Sequence, residues 1–216
     1  MNNSRVRYVL LGLLLLAALV WWRVSMPKSA AMGATPVIEK LPTTVETHPF
    51  DPLLPPMNMP PLSAMEAAVT DSNFISNASV LGESERVDAA HATVTVTGVR
   101  VTLQLKINIW VPTGATQHVV EHEEGHRQIS EYYYRSADKI ATQIAAGHIG
   151  KKFQISGADL DGEFTKLLQK LGADITEEYN DKVSPGVAQQ AFDDITDHSR
   201  NDVAASAAVA QALRGH

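Results

Sequence analysis

The sequence predicts an α+β fold in which β-strands pack on one long helix and the C-terminal half is helical. Three stretches carry this reading. Two alternating, β-branched runs lie within residues 86–112, a segment of helical period follows over residues 117–146, and residues 160–180 return to helical spacing.

The strands are residues 92–97 (ATVTVT) and 99–110 (VRVTLQLKINIW), separated at Gly98. In the second run Val101, Leu103, Leu105, Ile107 and Ile109 alternate with polar residues, so one face packs on a core that a helix layer should cover. Pro112, Thr113 and Gly114 end the strand. The following helix carries the stripe Val119, His122, His126, Ile129, Tyr133, Ala137, Ile140 and Ile144, which points inward at helical spacing. Of Tyr132, Tyr133 and Tyr134, only Tyr133 falls on that stripe. Residues 160–180 place Phe164, Leu167, Leu168, Leu171 and Ile175 inward as scaffold, and the Ala-rich residues 203–213 read as a terminal helix.

At 216 residues with 44% hydrophobic and 19% charged, the chain has room for one folded domain and some appended sequence. Its first 38 residues hold Arg5, Arg7, Arg23 and Lys28 and no acid, so the body is more acidic than the overall charge of −6. Nucleic acid is excluded as a partner, because phosphate affinity rests on clustered Lys and Arg. With no cysteine, a metal here must be held by imidazole and carboxylate.

The N-terminus predicts export. Residues 8–22 (YVLLGLLLLAALVWW) are an unbroken apolar run between Arg7 and Arg23, and Trp21 and Trp22 resemble an interfacial anchor. Residues 1–28 therefore read as a signal anchor or transmembrane segment that leaves the rest of the chain in the periplasm or extracellular space. The domain is secreted if the segment is cleaved near Ser29, Ala30 and Ala31. Residues 29–72 read as a Pro-rich linker, punctuated by Pro36, Pro42, Pro49, Pro52, Pro55, Pro56, Pro60 and Pro61, and residues 73–216 as the folded domain.

The long helix carries His122-Glu123-Glu124-Gly125-His126, an H-E-x-x-H motif. Residues four apart share a helix face, so both imidazoles can grip one Zn2+ ion. Glu123, one step round, can accept a proton from a bound water whose pKa zinc lowers towards about 7. Two imidazoles and a carboxylate on an inward face are costly to bury without a cation to satisfy them. Gly125 gives up roughly 1 kcal/mol of helix propensity, which predicts close approach of a neighbouring strand there. A motif of this kind on a helix that covers strands predicts a zincin-like domain.

Zinc needs a third protein ligand, and Glu131 points away from His126. Position 132 is Tyr132, which excludes the extended motif with a third histidine there. His148, Glu163, Glu177, Glu178 and His198 remain as candidates, and Tyr179 is a candidate oxyanion stabiliser.

Taken with HEEGH and the strands that end in Trp110-Val111-Pro112, the late stretch Phe192-Asp193-Asp194-Ile195-Thr196-Asp197-His198 resembles a bacterial family of predicted secreted zinc-dependent proteases. That family carries an aromatic-Asp-x-x-Thr-x-His motif, usually followed by Gly, where this chain has Ser199. The resemblance covers roughly residues 74–203. It implies that His198 is the third zinc ligand, with Asp193 or Thr196 holding its geometry. The expectation that follows is a zinc metallopeptidase acting on protein or peptide substrates. Its competitors are a non-catalytic metal-binding module that recruits an envelope partner and a zinc amidase acting on cell wall.

Overall fold

The computed structural model describes residues 34–215, and the expected N-terminal anchor lies outside them. Along the chain run β1 (Val37–Lys40), β2 (Thr44–Phe50), β3 (Val69–Arg86), β4 (His91–Pro112), α1 (Gln117–Arg135), α2 (Ala137–Ala146), β5 (Lys152–Ser156), α3 (Leu160–Val183), α4 (Gly186–Thr196) and α5 (Ala205–Ala212). The fold is thus mixed α and β, as expected. Among the described residues no helix is long and apolar enough to cross a membrane.

β4 organises the sheet. β3 pairs antiparallel along one edge of it, while the other edge is shared end to end by β5 (antiparallel), β1 and β2 (both parallel). Val101, Leu103, Leu105, Ile107 and Ile109 are buried as their alternation requires, beneath Ala137, Ala141 and Ile144 of α2 and Leu171 and Ile175 of α3. α3 lies so close to β3 that a Cβ at Gly172 would stand 2.6 Å from the Ala78 carbonyl oxygen. A second, smaller core of Ile129, Ala188, Phe192, Ala208 and Val209 fastens α4 and α5 onto α1.

Four expectations are corrected. Gly98 does not divide two strands: β4 runs through it, and the pairing with β3 only shifts beside it, where Leu81 faces Gly98, Gly82 faces Val96 and Thr97 of β4 is passed over. Residues 37–50, expected within a linker, form β1 and β2, and the domain takes in residues from Thr35 onward. Prolines did not forbid this, because Pro36 and Pro42 lie outside the strands and Pro49 sits in a strand on the sheet edge, where a missing N–H is tolerated. The helix expected over residues 117–146 is broken at Ser136 into α1 and α2. There Lys40 donates to the Arg135 carbonyl at 2.9 Å and pairs with Asp138 in the first turn of α2, capping one helix and anchoring the next. Finally, the tyrosine in the main core is Tyr134, whose hydroxyl donates to the Leu41 carbonyl at 2.8 Å; Tyr133 packs on the smaller core and Tyr132 is exposed.

Candidate metal centre

α1 starts at Thr116, whose hydroxyl accepts from the Val119 N–H, and its second turn carries His122 and Glu123 into the protein, each less than 5% exposed. α4 crosses the same region. Gln189, Phe192, Asp193 and Thr196 stand at i, i+3, i+4 and i+7 and so share one helix face, the one turned to the histidines.

Each contact on that face has a consequence for His122 or His126. The Thr196 hydroxyl donates to the Phe192 carbonyl at 2.8 Å, so it can only accept from His122 Nδ1, which lies 3.2 Å away. The Gln189 amide oxygen sits 2.5 Å from His126 Nδ1, and the Gln189 amide nitrogen donates to the His126 carbonyl and to the Ser130 hydroxyl. Both imidazoles therefore carry their proton on Nδ1 and present the Nε2 lone pair inward. Phe192 stacks on His122 and meets His126 edge-on, with both centroids 4.9 Å away.

The two Nε2 atoms are 3.1 Å apart, and Asp193 Oδ1 stands 3.3 Å from the first and 3.0 Å from the second. With both rings neutral, two nitrogen lone pairs and a carboxylate oxygen face one point, an electrostatic conflict that a bound cation, or a proton on Nε2, relieves. The spacing suits zinc, because nitrogens at about 2.0–2.1 Å on a tetrahedral ion stand roughly 3.3 Å apart. Among the described residues the group that could hold a metal is His122, His126 and Asp193, with all ligand atoms within 4.8 Å of one another.

Asp193, expected to support the site, stands in the group that could hold a metal, and His198, expected as the third ligand, stands next to that group. The His198 ring stands behind it, Nδ1 buried without a hydrogen-bond partner and 3.7 Å from Asp193 Oδ1. The reason is where α4 ends: Asp193 is on the helix face, whereas His198 lies past the last turn. Asp197, His198 and Ser199 all take positive φ, at 48°, 52° and 65°. Ser199 thus occupies, without a glycine's freedom, the position where the family motif usually has Gly.

The remaining candidates stay out of the cluster. Glu163 and Glu178 pair with Lys166 and Lys182, Glu177 is exposed, and His148 sits past the end of α2 near Lys151, Glu178 and Asp174. Glu131 pairs with Arg127. Tyr179 is corrected outright: it is 1% exposed in the main core beside Tyr134, with its hydroxyl unpartnered, and it lines no part of the cleft.

Compared with protein families, with curated proteins and with solved structures, the chain matches none.

Glu123 lies beside the cluster. Thr70 of β3 places its hydroxyl 2.7 Å from Glu123 Oε2 and 3.1 Å from the Glu123 carbonyl, tying the carboxylate and its helix to the sheet. Burial pushes the Glu123 carboxyl up, against the pull of His126, Thr70 and His122. Asp193 is held well below the usual carboxylate range; burial opposes this, but the hydrogen bonds and charges of His122 and His126 outweigh it. Burial likewise works against protonation of His126, and the Asp193 hydrogen bond and charge, with Glu123 adding to them, raise it nonetheless.

A cleft of about 290 Å³ opens onto these groups, walled by Glu66, Ala68, Val69 and Ser72 on one side and by Pro185 and Gln189 on the other. Thr70 and Ser72 lie before the expected start of the domain, and no sequence signal marked them. Gln189 could have been found from its helical spacing to Phe192, Asp193 and Thr196. Gly125 faces the ring of Phe192 and not a strand, which corrects that expectation too.

Proposed function

We propose that this chain is a zinc-dependent metallopeptidase that hydrolyses peptide bonds of protein or peptide substrates and is held outside the cytoplasm by its N-terminal segment. One observation carries the reading: the Nε2 lone pairs of His122 and His126 and the carboxylate of Asp193 converge beside a buried glutamate at the floor of a cleft. A helix bearing H-E-x-x-H against a mixed sheet supports a zincin-like form of the fold, and the resemblance of both motifs to secreted zinc-dependent proteases points the same way.

His122, His126 and Asp193 would hold the ion, with His198 behind the carboxylate. When bound, zinc supplies a Lewis acid that lowers the pKa of water and polarises a substrate carbonyl. Glu123 takes the proton from the attacking water and delivers it to the leaving amine; its raised proton affinity brings it closer to the operating pH, as a general base requires. Thr70 fixes which carboxylate oxygen faces the cleft. Thr196 and Gln189 hold both imidazoles in the ligating tautomer.

The test compares wild type, Glu123→Gln and His122→Ala for zinc content and for hydrolysis of casein and of a peptide and cell-wall amide panel. Glu123→Gln is expected to keep zinc and lose roughly 100- to 10,000-fold in rate. His122→Ala should lose both. Wild type with stoichiometric zinc and no hydrolysis anywhere on the panel would replace this reading with a metal-binding module.

A further inference from the structure

Beside the metal cleft lies a second pocket of about 440 Å³, and Glu66 is a wall of both. Ala67 lines the second pocket and Ala68 the first, so the chain passes from one to the other within a single residue. The second pocket is apolar. Its walls are six prolines (Pro52, Pro55, Pro56, Pro60, Pro61 and Pro112) together with Phe50, Met59 and Leu62. Proline fixes φ at six of these positions, which limits how far the walls can rearrange and so reduces the conformational entropy lost on binding. The base is equally fixed, since Phe50 is buried and pairs with Pro112 in the sheet. Glu66 is held by the Ser63 N–H, 2.8 Å from Oε2.

We infer that this pocket is the specificity subsite of the proposed peptidase, taking a large apolar or aromatic side chain of the substrate at a fixed distance from the bond that is cut. The inference rests on the peptidase reading. Three features select this occupant. The volume falls in the range of small-ligand sites and its lining is hydrophobic with one polar edge, which fits a single side chain and its backbone. Glu66 lines both the pocket and the cleft, so the two adjoin, and a substrate chain that extends past His122 and His126 on the Glu66 side would reach the pocket. The cleft mixes polar groups with Ala68, Val69 and Pro185, whereas the neighbouring pocket is lined almost wholly by apolar side chains and is the stronger selector for one.

The test measures binding apart from turnover. Fluorescent peptides differing only in Phe or Ser at one position are titrated, position by position, into the full-length Glu123→Gln chain by anisotropy, and the same peptides are offered to the wild-type chain with cleavage sites read by mass spectrometry. Burying an aromatic side chain should give about 10- to 100-fold tighter binding at one position. Cleavage should fall at a constant offset from that residue. Ala67→Trp fills the pocket and Met59→Asp charges it, and in both the preference should fall to within about twofold; melting curves confirm that each variant is folded. Preference that persists in both folded variants overturns the inference and leaves the pocket to another occupant, such as a lipid chain. Cleavage without any apolar preference also overturns it while leaving the peptidase reading intact. Preferential binding that both variants abolish, with no cleavage by wild type, upholds the pocket and removes the peptidase.

Discussion

The ring of Phe192 occupies the space that a side chain at residue 125 would need: a Cβ built on Gly125 lies 2.3 Å from the ring's Cζ. The same ring stacks on His122 and meets His126 edge-on, so Gly125 and Phe192 together set how closely α4 lies against the histidine helix.

Gly125→Ala should therefore destabilise the protein although alanine is the better helix former. Overpacking costs about 1–3 kcal/mol and the propensity gain is about 1 kcal/mol; because the built Cβ meets the ring well inside van der Waals contact, the upper end applies and a net loss of up to about 2 kcal/mol is expected in urea unfolding. Zinc affinity should drop with it, since the ring can give way only by moving the imidazoles. Phe192→Leu combined with Gly125→Ala should recover part of the stability, and strict additivity would show that the two positions are not coupled.

Asp193 and His198 can be ranked by metal competition titration. Asp193→Ala should lower zinc affinity about 100-fold or more, whereas His198→Ala should cost about 10- to 100-fold, the range for a group that orients a ligand. The opposite order would make His198 the third ligand and Asp193 its support.

Thr70→Val removes the hydroxyl that holds Glu123 Oε2. A hydrogen bond to a charged group contributes about 1.5–3 kcal/mol, so kcat should fall about tenfold or more with KM little changed and zinc retained. Thr70→Ser keeps the donor and should restore most of the rate. A variant with equal loss in KM would assign Thr70 to substrate binding instead.

Stability of the metal-free protein should depend on pH in a defined direction. Asp193 is depressed from 3.8, so its contribution is complete above that value and is lost as pH falls further. His126 is raised from 6.5, so its contribution is complete below 6.5 and is lost as pH rises through the higher folded value. Glu123, raised by burial, works with His126, because the fold disfavours its ionised form. Metal-free Tm should accordingly fall from about pH 6 to pH 8.5, while the rise in Tm on adding zinc should grow over the same range as His126 deprotonates. A metal-free Tm that climbs over this range would contradict the pairing.

Ser199→Gly should stabilise the turn after α4 by about 0.5–1 kcal/mol, since serine at φ 65° bears a steric cost that glycine avoids. Thermal unfolding at matched zinc content checks it.

Local patterns made much of this molecule readable. Alternation from Val101 to Ile109 identified the central strand and its buried face, and four-residue spacing put His122 and His126 on one side of a helix, because each depends only on backbone period. β1, β2 and β3 were missed because edge strands need not alternate cleanly; for β1 and β2, moreover, the hydrogen bonds come from β4, far along the chain, and prolines at an edge leave no composition signal that separates strand from linker.

The sequence by itself marked the candidate residues: His122, Glu123 and His126 in one motif, and Phe192, Asp193, Thr196 and His198 in another. Only the tertiary structure decided how they are arranged around one point. Where α4 stops, and the Gly125–Phe192 contact that docks it, bring Asp193 into the histidine pair and leave His198 behind it, and packing of α3 encloses Tyr179 in the core. These outcomes depend on angstrom-scale distances between helices that meet through side-chain packing, and residue order along the chain carries no measure of those distances.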